Sequence, residues 1–97
     1  MIYIKKRAEY LSKIRKYFDD LGVMEVDTPL AYDCGVTDPF INVFEIVTLS
    51  GTKYLQSSPE YAMKRLLSKG SGSIYQICKA FRDEPSGSYH NHEFTMV

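Results

Sequence analysis

The pattern of the 97 residues predicts an α+β domain, antiparallel β-structure flanked by helices, and three observations carry that reading. Apolar residues recur every three or four positions over residues 4–21, the period of one helix face. Segments rich in β-branched and aromatic residues at 40–49, 53–56, 74–81 and 93–97 are separated by turn signals, as in hairpins. A second helix between them carries its own start and stop residues over 58–70.

In the first helix Ile4, Ala8, Leu11, Ile14, Phe18 and Leu21 share one face, and Gly22 supplies a left-handed stop. Six bases (Lys5, Lys6, Arg7, Lys13, Arg15, Lys16) against three acids (Glu9, Asp19, Asp20) make its outer face positive. A solvated surface is the plainer reading of that charge and nucleic-acid contact the sharper one. Residues 23–27 alternate apolar and acidic side chains like a half-buried strand, and Thr28-Pro29 ends it because proline cannot donate to a ladder. From Glu25 to Glu45 there are five acids and no base around Cys34-Gly35 and Asp38-Pro39, which reads as a loop with an acidic surface.

Residues 40–49 then form a strand, Ser50-Gly51 a turn, and 53–56 its returning partner. The second helix takes Ser58 as N-cap, Pro59 as first residue and Glu60 in its first turn, with Lys64, Arg65 and Lys69 toward Gly70, so each charge complements the helix dipole. After Ser71-Gly72-Ser73 comes a strand over 74–78 and 80–81, a polar loop over 83–92 and a last strand over 93–97. That strand runs to Val97 without a following turn, which predicts a polypeptide continuing elsewhere.

Composition excludes several classes. Apolar residues at 44% and aromatics at 13% exclude disorder, and twelve bases against twelve acids remove any bulk attraction to nucleic acid or anionic lipid. No apolar run approaches the ~20 residues of a membrane span, and the N-terminus lacks a signal peptide's apolar stretch, so a cytoplasmic protein is expected. In that compartment Cys34 and Cys78 are expected as free thiols, buried or idle. A zinc site from Cys34, Cys78, His90 and His92 fits none of the usual ligand spacings, so no metal ligand is assigned.

The densest group of ionisable residues is Arg82-Asp83-Glu84, followed beyond Pro85-Ser86-Gly87-Ser88 by Tyr89-His90-Asn91-His92-Glu93-Phe94. If the flanking strands pair antiparallel, Arg82 and Glu84 share a face and Phe94 lies across from them. A guanidinium fork, a carboxylate and an aromatic ring on one surface suit a phosphate, an exocyclic amine and a purine face: the parts of an ATP site. The competing reading is a charged hairpin loop in which Arg82 pairs with Glu84 or Glu93, an interaction of little energetic weight.

Ile74-Tyr75-Gln76-Ile77 and Phe81-Arg82-Asp83-Glu84, followed by His90-Asn91-His92-Glu93-Phe94-Thr95-Met96, resemble motif 2 of the class II aminoacyl-tRNA synthetases in their lysyl subgroup. Gly22-Val23-Met24-Glu25-Val26-Asp27-Thr28-Pro29, with the helix before it, looks like motif 1, about 4–29. Ser57-Ser58-Pro59-Glu60-Tyr61-Ala62-Met63-Lys64-Arg65-Leu66-Leu67 resembles the segment that binds the amino acid. On this resemblance residues 1–97 are the N-terminal portion of the catalytic domain, with motif 2 at about 74–97 and motif 3 absent. The sequence departs from the family's pattern at Asp83, usually Asn, at Ser88, usually basic, and at His92, usually Pro.

The resemblance implies ATP-dependent activation of lysine or β-lysine as an adenylate, and a homodimer formed through motif 1. A start close to motif 1 and the Ser-Ser-Pro-Glu-Tyr wording are similar to a stand-alone branch of the subgroup that passes β-lysine to a lysine of elongation factor P. A catalytic domain charging tRNA(Lys) and a non-catalytic dimerisation module are the alternatives. By resemblance Arg82 is the catalytic residue, gripping the α-phosphate and the substrate carboxylate, with Asp83 beside the triphosphate. Glu84 accepts from the adenine amino group, Phe94 stacks on adenine, and His90 and Asn91 hold the triphosphate or ribose side. Ser58, Pro59 and Glu60 form the pocket for the substrate's amino groups, while the Mg²⁺ ligands are expected outside these 97 residues, which alone are expected to be inactive.

Overall fold

A computed structural model of the chain describes residues 1–33, 43–83 and 92–97. The expectations for Cys34, Glu84, His90 and Asn91 therefore lie outside the described residues. Helix α1 covers Ile2–Asp20 and stops where expected: Gly22 takes φ +73, and the N–H groups of Gly22 and Val23 turn back to the carbonyls of Asp19 and Phe18. Only the middle of its apolar face is covered. Leu11, Ile14 and Phe18 are half-buried, whereas Ala8 is exposed and Ile4 and Leu21 are 66% and 61% exposed.

Strand β1, Met24–Glu25, is shorter than the alternating segment and pairs in parallel with β5, Ile74–Tyr75. What ends it is a glutamine. The buried Gln76 side chain accepts from the Thr28 N–H at 3.1 Å and exchanges hydrogen bonds with the Thr28 hydroxyl, so this stretch bonds to a side chain instead of continuing the ladder. The same residue divides the strand expected over 74–81. β5 ends at Tyr75, Gln76 and Ile77 are unpaired in any ladder, and β6 resumes over Cys78–Phe81.

The hairpin expected after residue 40 is present as β3, Glu45–Thr48, and β4, Gly51–Leu55, in antiparallel register from Thr48↔Gly51 to Glu45↔Tyr54. Its turn is held by the Thr48 hydroxyl, which accepts from Ser50 N–H and donates to the Gly51 carbonyl at 2.7 Å; Gly51 itself sits at φ +118. Part of the acidic segment read as loop is a strand. β2, Ala31–Tyr32, adds to the free edge of β4, and the adjacent Asp33 is neutralised by Lys53. Helix α2, Glu60–Ser68, and an antiparallel partner for β6, β7 over Glu93–Met96, complete the described elements. The result is an α+β architecture. No described helix is long and apolar enough to cross a membrane.

The interior is small and partly polar. Tyr75, Cys78 and Ala80 are buried with Gln56, Ser57, Pro59 and Gln76, and Phe18 of α1 stacks on Tyr75 with ring centroids 4.2 Å apart. Burial and the adjacent Glu25 carboxylate, which accepts from the phenol at 3.2 Å, raise the Tyr75 pKa above its ordinary 10.0.

Candidate functional site

The hairpin of β6 and β7 has two unlike faces, and its register decides which residues meet. Opposed pairs run Cys78↔Met96, Lys79↔Thr95, Ala80↔Phe94 and Phe81↔Glu93, and the Arg82 N–H donates to the His92 carbonyl at 3.0 Å. Because side chains alternate, Cys78, Ala80, Arg82, His92, Phe94 and Met96 form one face, and Lys79, Phe81, Glu93 and Thr95 the other. The second face is occupied: Arg7 of α1 donates to the Thr95 hydroxyl at 3.2 Å, and Lys79 pairs with Glu93 at 3.8 Å. Helix α1 thus crosses the side away from Arg82 and Phe94.

On the first face the Arg82 guanidinium carbon lies 5.2 Å from the centroid of the Phe94 ring. Ala80, fully buried and opposite Phe94 in the ladder, is small enough to let the two approach on the diagonal. The Arg82 Nε is buried and meets no hydrogen-bond acceptor among the described residues. A buried charged donor is favourable only when an acceptor satisfies it, and an anion is the partner that suits a guanidinium. Glu93, a partner in the ion-pair reading, is held by Lys79 on the opposite face. At the edge of this surface His92 stands edge-on to Phe44, centroids 5.4 Å apart.

The segment 57–60 reaches the same hairpin through its main chain. Phe81 N–H donates to the Gln56 carbonyl at 2.8 Å, which ties the residue before Ser57 to the residue before Arg82. Pro59, buried, takes the N-cap of α2 in place of Ser58, because the helix begins one residue later at Glu60; the Ser58 hydroxyl accepts from the Glu60 N–H at 3.2 Å just outside the helix. Glu60 projects from the first helical turn and pairs with Lys64 at 3.3 Å. Asp83 is exposed beyond the end of β6. The structure therefore brings Arg82 and Phe94 together, joins segment 57–60 to them through the backbone, and leaves Glu60 engaged on its own helix.

Two side chains that organise this surface were not singled out in the sequence, Gln56 and Gln76. Gln76 is a lone amide between Tyr75 and Ile77, and that isolation is the signal that marks a buried brace, whereas Gln56, followed by Ser57 and Ser58, carries no such signal. Cys78 is buried, with Gln56 Nε2 3.5 Å from its sulfur, and burial pushes the thiol pKa up from 9.0. Among the described residues no three His, Cys, Asp or Glu side chains gather as metal ligands.

A family model described as tRNA synthetases class II (D, K and N) matches residues 2–97. The elongation factor P-(R)-beta-lysine ligase of Edwardsiella ictaluri is 52% identical over 98 residues, covering 95% of this chain and 30% of that protein. The ligase of the same name from Photobacterium profundum is 50% identical over 100 residues, 97% of this chain and 31% of the relative. That of Mannheimia succiniciproducens is 47% identical over 97 residues, with 94% and 30% covered. The chain spans about 30% of the length of the curated relatives it matches. With the family model matched over residues 2–97, this chain belongs to the class II tRNA synthetases of the D, K and N group.

Proposed function

We propose that this chain supplies the nucleotide-facing part of an aminoacyl-adenylate-forming centre that activates lysine or β-lysine with ATP and passes the acyl group to a lysine of elongation factor P. The observation that carries the proposal is the buried Arg82 Nε, without an acceptor among the described residues, beside the Phe94 ring on the face that α1 leaves open. The printed names of the relatives favour β-lysine and elongation factor P over tRNA(Lys).

The chemistry asks little acid–base work of the protein. A substrate carboxyl with a pKa of about 3.5 is already ionised at neutral pH. One of its oxygens attacks the α-phosphorus of ATP, the bond to the β-phosphate oxygen breaks, and pyrophosphate leaves. Charge grows on the α-phosphate oxygens, where the planar guanidinium of Arg82 donates two parallel hydrogen bonds. Phe94 offers a flat apolar surface for adenine, and segment 57–60 holds the amino acid at a fixed distance from that phosphate. In the second step a neutral lysine amine attacks the acyl carbon; the amide forms, AMP departs and a proton is released. Among the described residues the charge stabilisation is assigned to Arg82.

The test is ATP–pyrophosphate exchange by the protein as expressed from its own gene, with lysine and (R)-β-lysine compared, followed by mass analysis of elongation factor P and of tRNA(Lys). Exchange stimulated by β-lysine with a mass gain on elongation factor P is the expected outcome. Silence with both amino acids overturns the enzyme reading, and charging of tRNA(Lys) without modification of the factor overturns the choice of acceptor.

A further inference from the structure

Gln56 joins three segments at one point. Its N–H donates to the Leu30 carbonyl at 2.9 Å, its carbonyl accepts from Phe81 N–H at 2.8 Å, and its side-chain Nε2 donates to the Lys79 carbonyl at 2.7 Å. The residue is 4% exposed, and its Oε1 finds no hydrogen-bond donor among the described residues. Side chain and main chain of this single residue therefore grip β6 at Lys79 and Phe81, immediately before Arg82. On its other side the chain continues directly into Ser57, itself 1% exposed, and then Ser58 and Glu60.

A buried amide with one unpaired oxygen is a poor choice for stability alone, since an apolar side chain of the same shape avoids desolvating that oxygen. Its geometry accounts for its presence. Two hydrogen bonds from one residue fix both the height and the tilt of β6 relative to segment 57–60, whereas the main-chain bond alone leaves β6 free to pivot about Phe81. We propose that Gln56 is a positioning residue, which sets the distance between the amino-acid segment and the Arg82-bound phosphate. This rests on the adenylate-forming reading above and names the side chain that holds its two halves in register. Attack on phosphorus requires the reacting atoms at roughly 3–3.5 Å, and displacements of about 1 Å cost on the order of a hundredfold in rate.

The variant that separates register from stability is Gln56→Met, which keeps the volume and removes the donor together with the unpaired oxygen. Each half-site keeps its own contacts, so the KM values for ATP and for the amino acid are expected to stay within about twofold while kcat for pyrophosphate exchange falls roughly ten- to a hundredfold. Binding of a non-reactive acyl-sulfamoyl adenosine carrying the same amino acid, which spans both halves, is expected to weaken by the same factor, with ATP binding and the thermal midpoint unchanged. Unaltered kcat and analogue affinity in Gln56→Met overturn the assignment. Unfolding of that variant also overturns it, because the side chain then supports the fold and not the register. Silence of the unsubstituted protein, by contrast, is a failure of the adenylate reading itself.

Discussion

Arg82 is the residue on which the proposed nucleotide reading turns, because its Nε is buried beside the Phe94 ring without an acceptor among the described residues. Arg82→Ala should reduce pyrophosphate exchange by about a hundred- to a thousandfold, the scale of losing one preorganised donor to a developing oxyanion. The fold should survive, since cation–π contact with Phe94 contributes only about 0.5–1 kcal/mol. Near-normal exchange in Arg82→Ala would show that the phosphate lies elsewhere. Cys78 makes the opposite case of a conspicuous group with no chemical role. Burial raises its thiol pKa, with the Asp27 charge adding a little and the Gln56 contact opposing, so the reactive thiolate is scarce below the folded-state pKa. In a Cys34→Ser background, iodoacetamide at pH 8 should label Cys78 at least about tenfold more slowly than in urea, where the ordinary thiol pKa returns. Equal rates in the two conditions would remove the burial argument.

The elements divide by the kind of information that specifies them. Helix α1, the β3–β4 hairpin and α2 were legible because each is set by local chemistry: a 3.6-residue period, a Ser-Gly turn, a Ser-Pro start. The antiparallel pairing of β6 with β7, and with it the shared face of Arg82 and Phe94, followed from period-two alternation once the pairing was assumed. The parallel pairing of β1 with β5, the added strand β2 and the interruption at Gln76 were not legible. These depend on partners 22 to 50 residues away that no local pattern encodes. Glu60 was readable as a helix residue and as a substrate ligand, and its ion pair with Lys64 belongs to the first role. Gln76 gives the clearest energetic test of a long-range brace. Gln76→Leu deprives the Thr28 N–H and hydroxyl of their partner, which should cost about 1–3 kcal/mol. The urea midpoint should fall with an unchanged m value. An unchanged midpoint would mean that water replaces the amide.

At the scale of the molecule, surface is in excess. The chain exposes 7573 Å², whereas a compact monomer of 11.1 kDa exposes about 5,700 Å² by the usual area–mass relation. Its radius of gyration is 15.5 Å against about 12.5 Å for a compact chain of this length. Much of the excess is apolar and lies on α1, where Tyr3, Tyr10 and Tyr17 recur every seven residues and continue to Leu21, beside the half-buried row of Leu11, Ile14 and Phe18. Tyr10 and Tyr17 are each 62% exposed, so the stripe is a row of large rings with one side in water. Aromatic side chains of this kind are enriched at interfaces, and a stable dimer needs about 800 Å² from each partner. A second copy packed through α1 is the proposed occupant of the stripe, on the side of the molecule away from Arg82. Sedimentation of the protein expressed from its own gene should therefore give a dimer. Tyr10→Glu, which places a charge at the centre of the stripe, should shift it to monomer with helical circular dichroism retained, because Tyr10 has no buried contacts of its own to lose. A monomeric unsubstituted protein, or a Tyr10→Glu variant that remains dimeric, would remove α1 as the interface and leave the excess surface to a different partner.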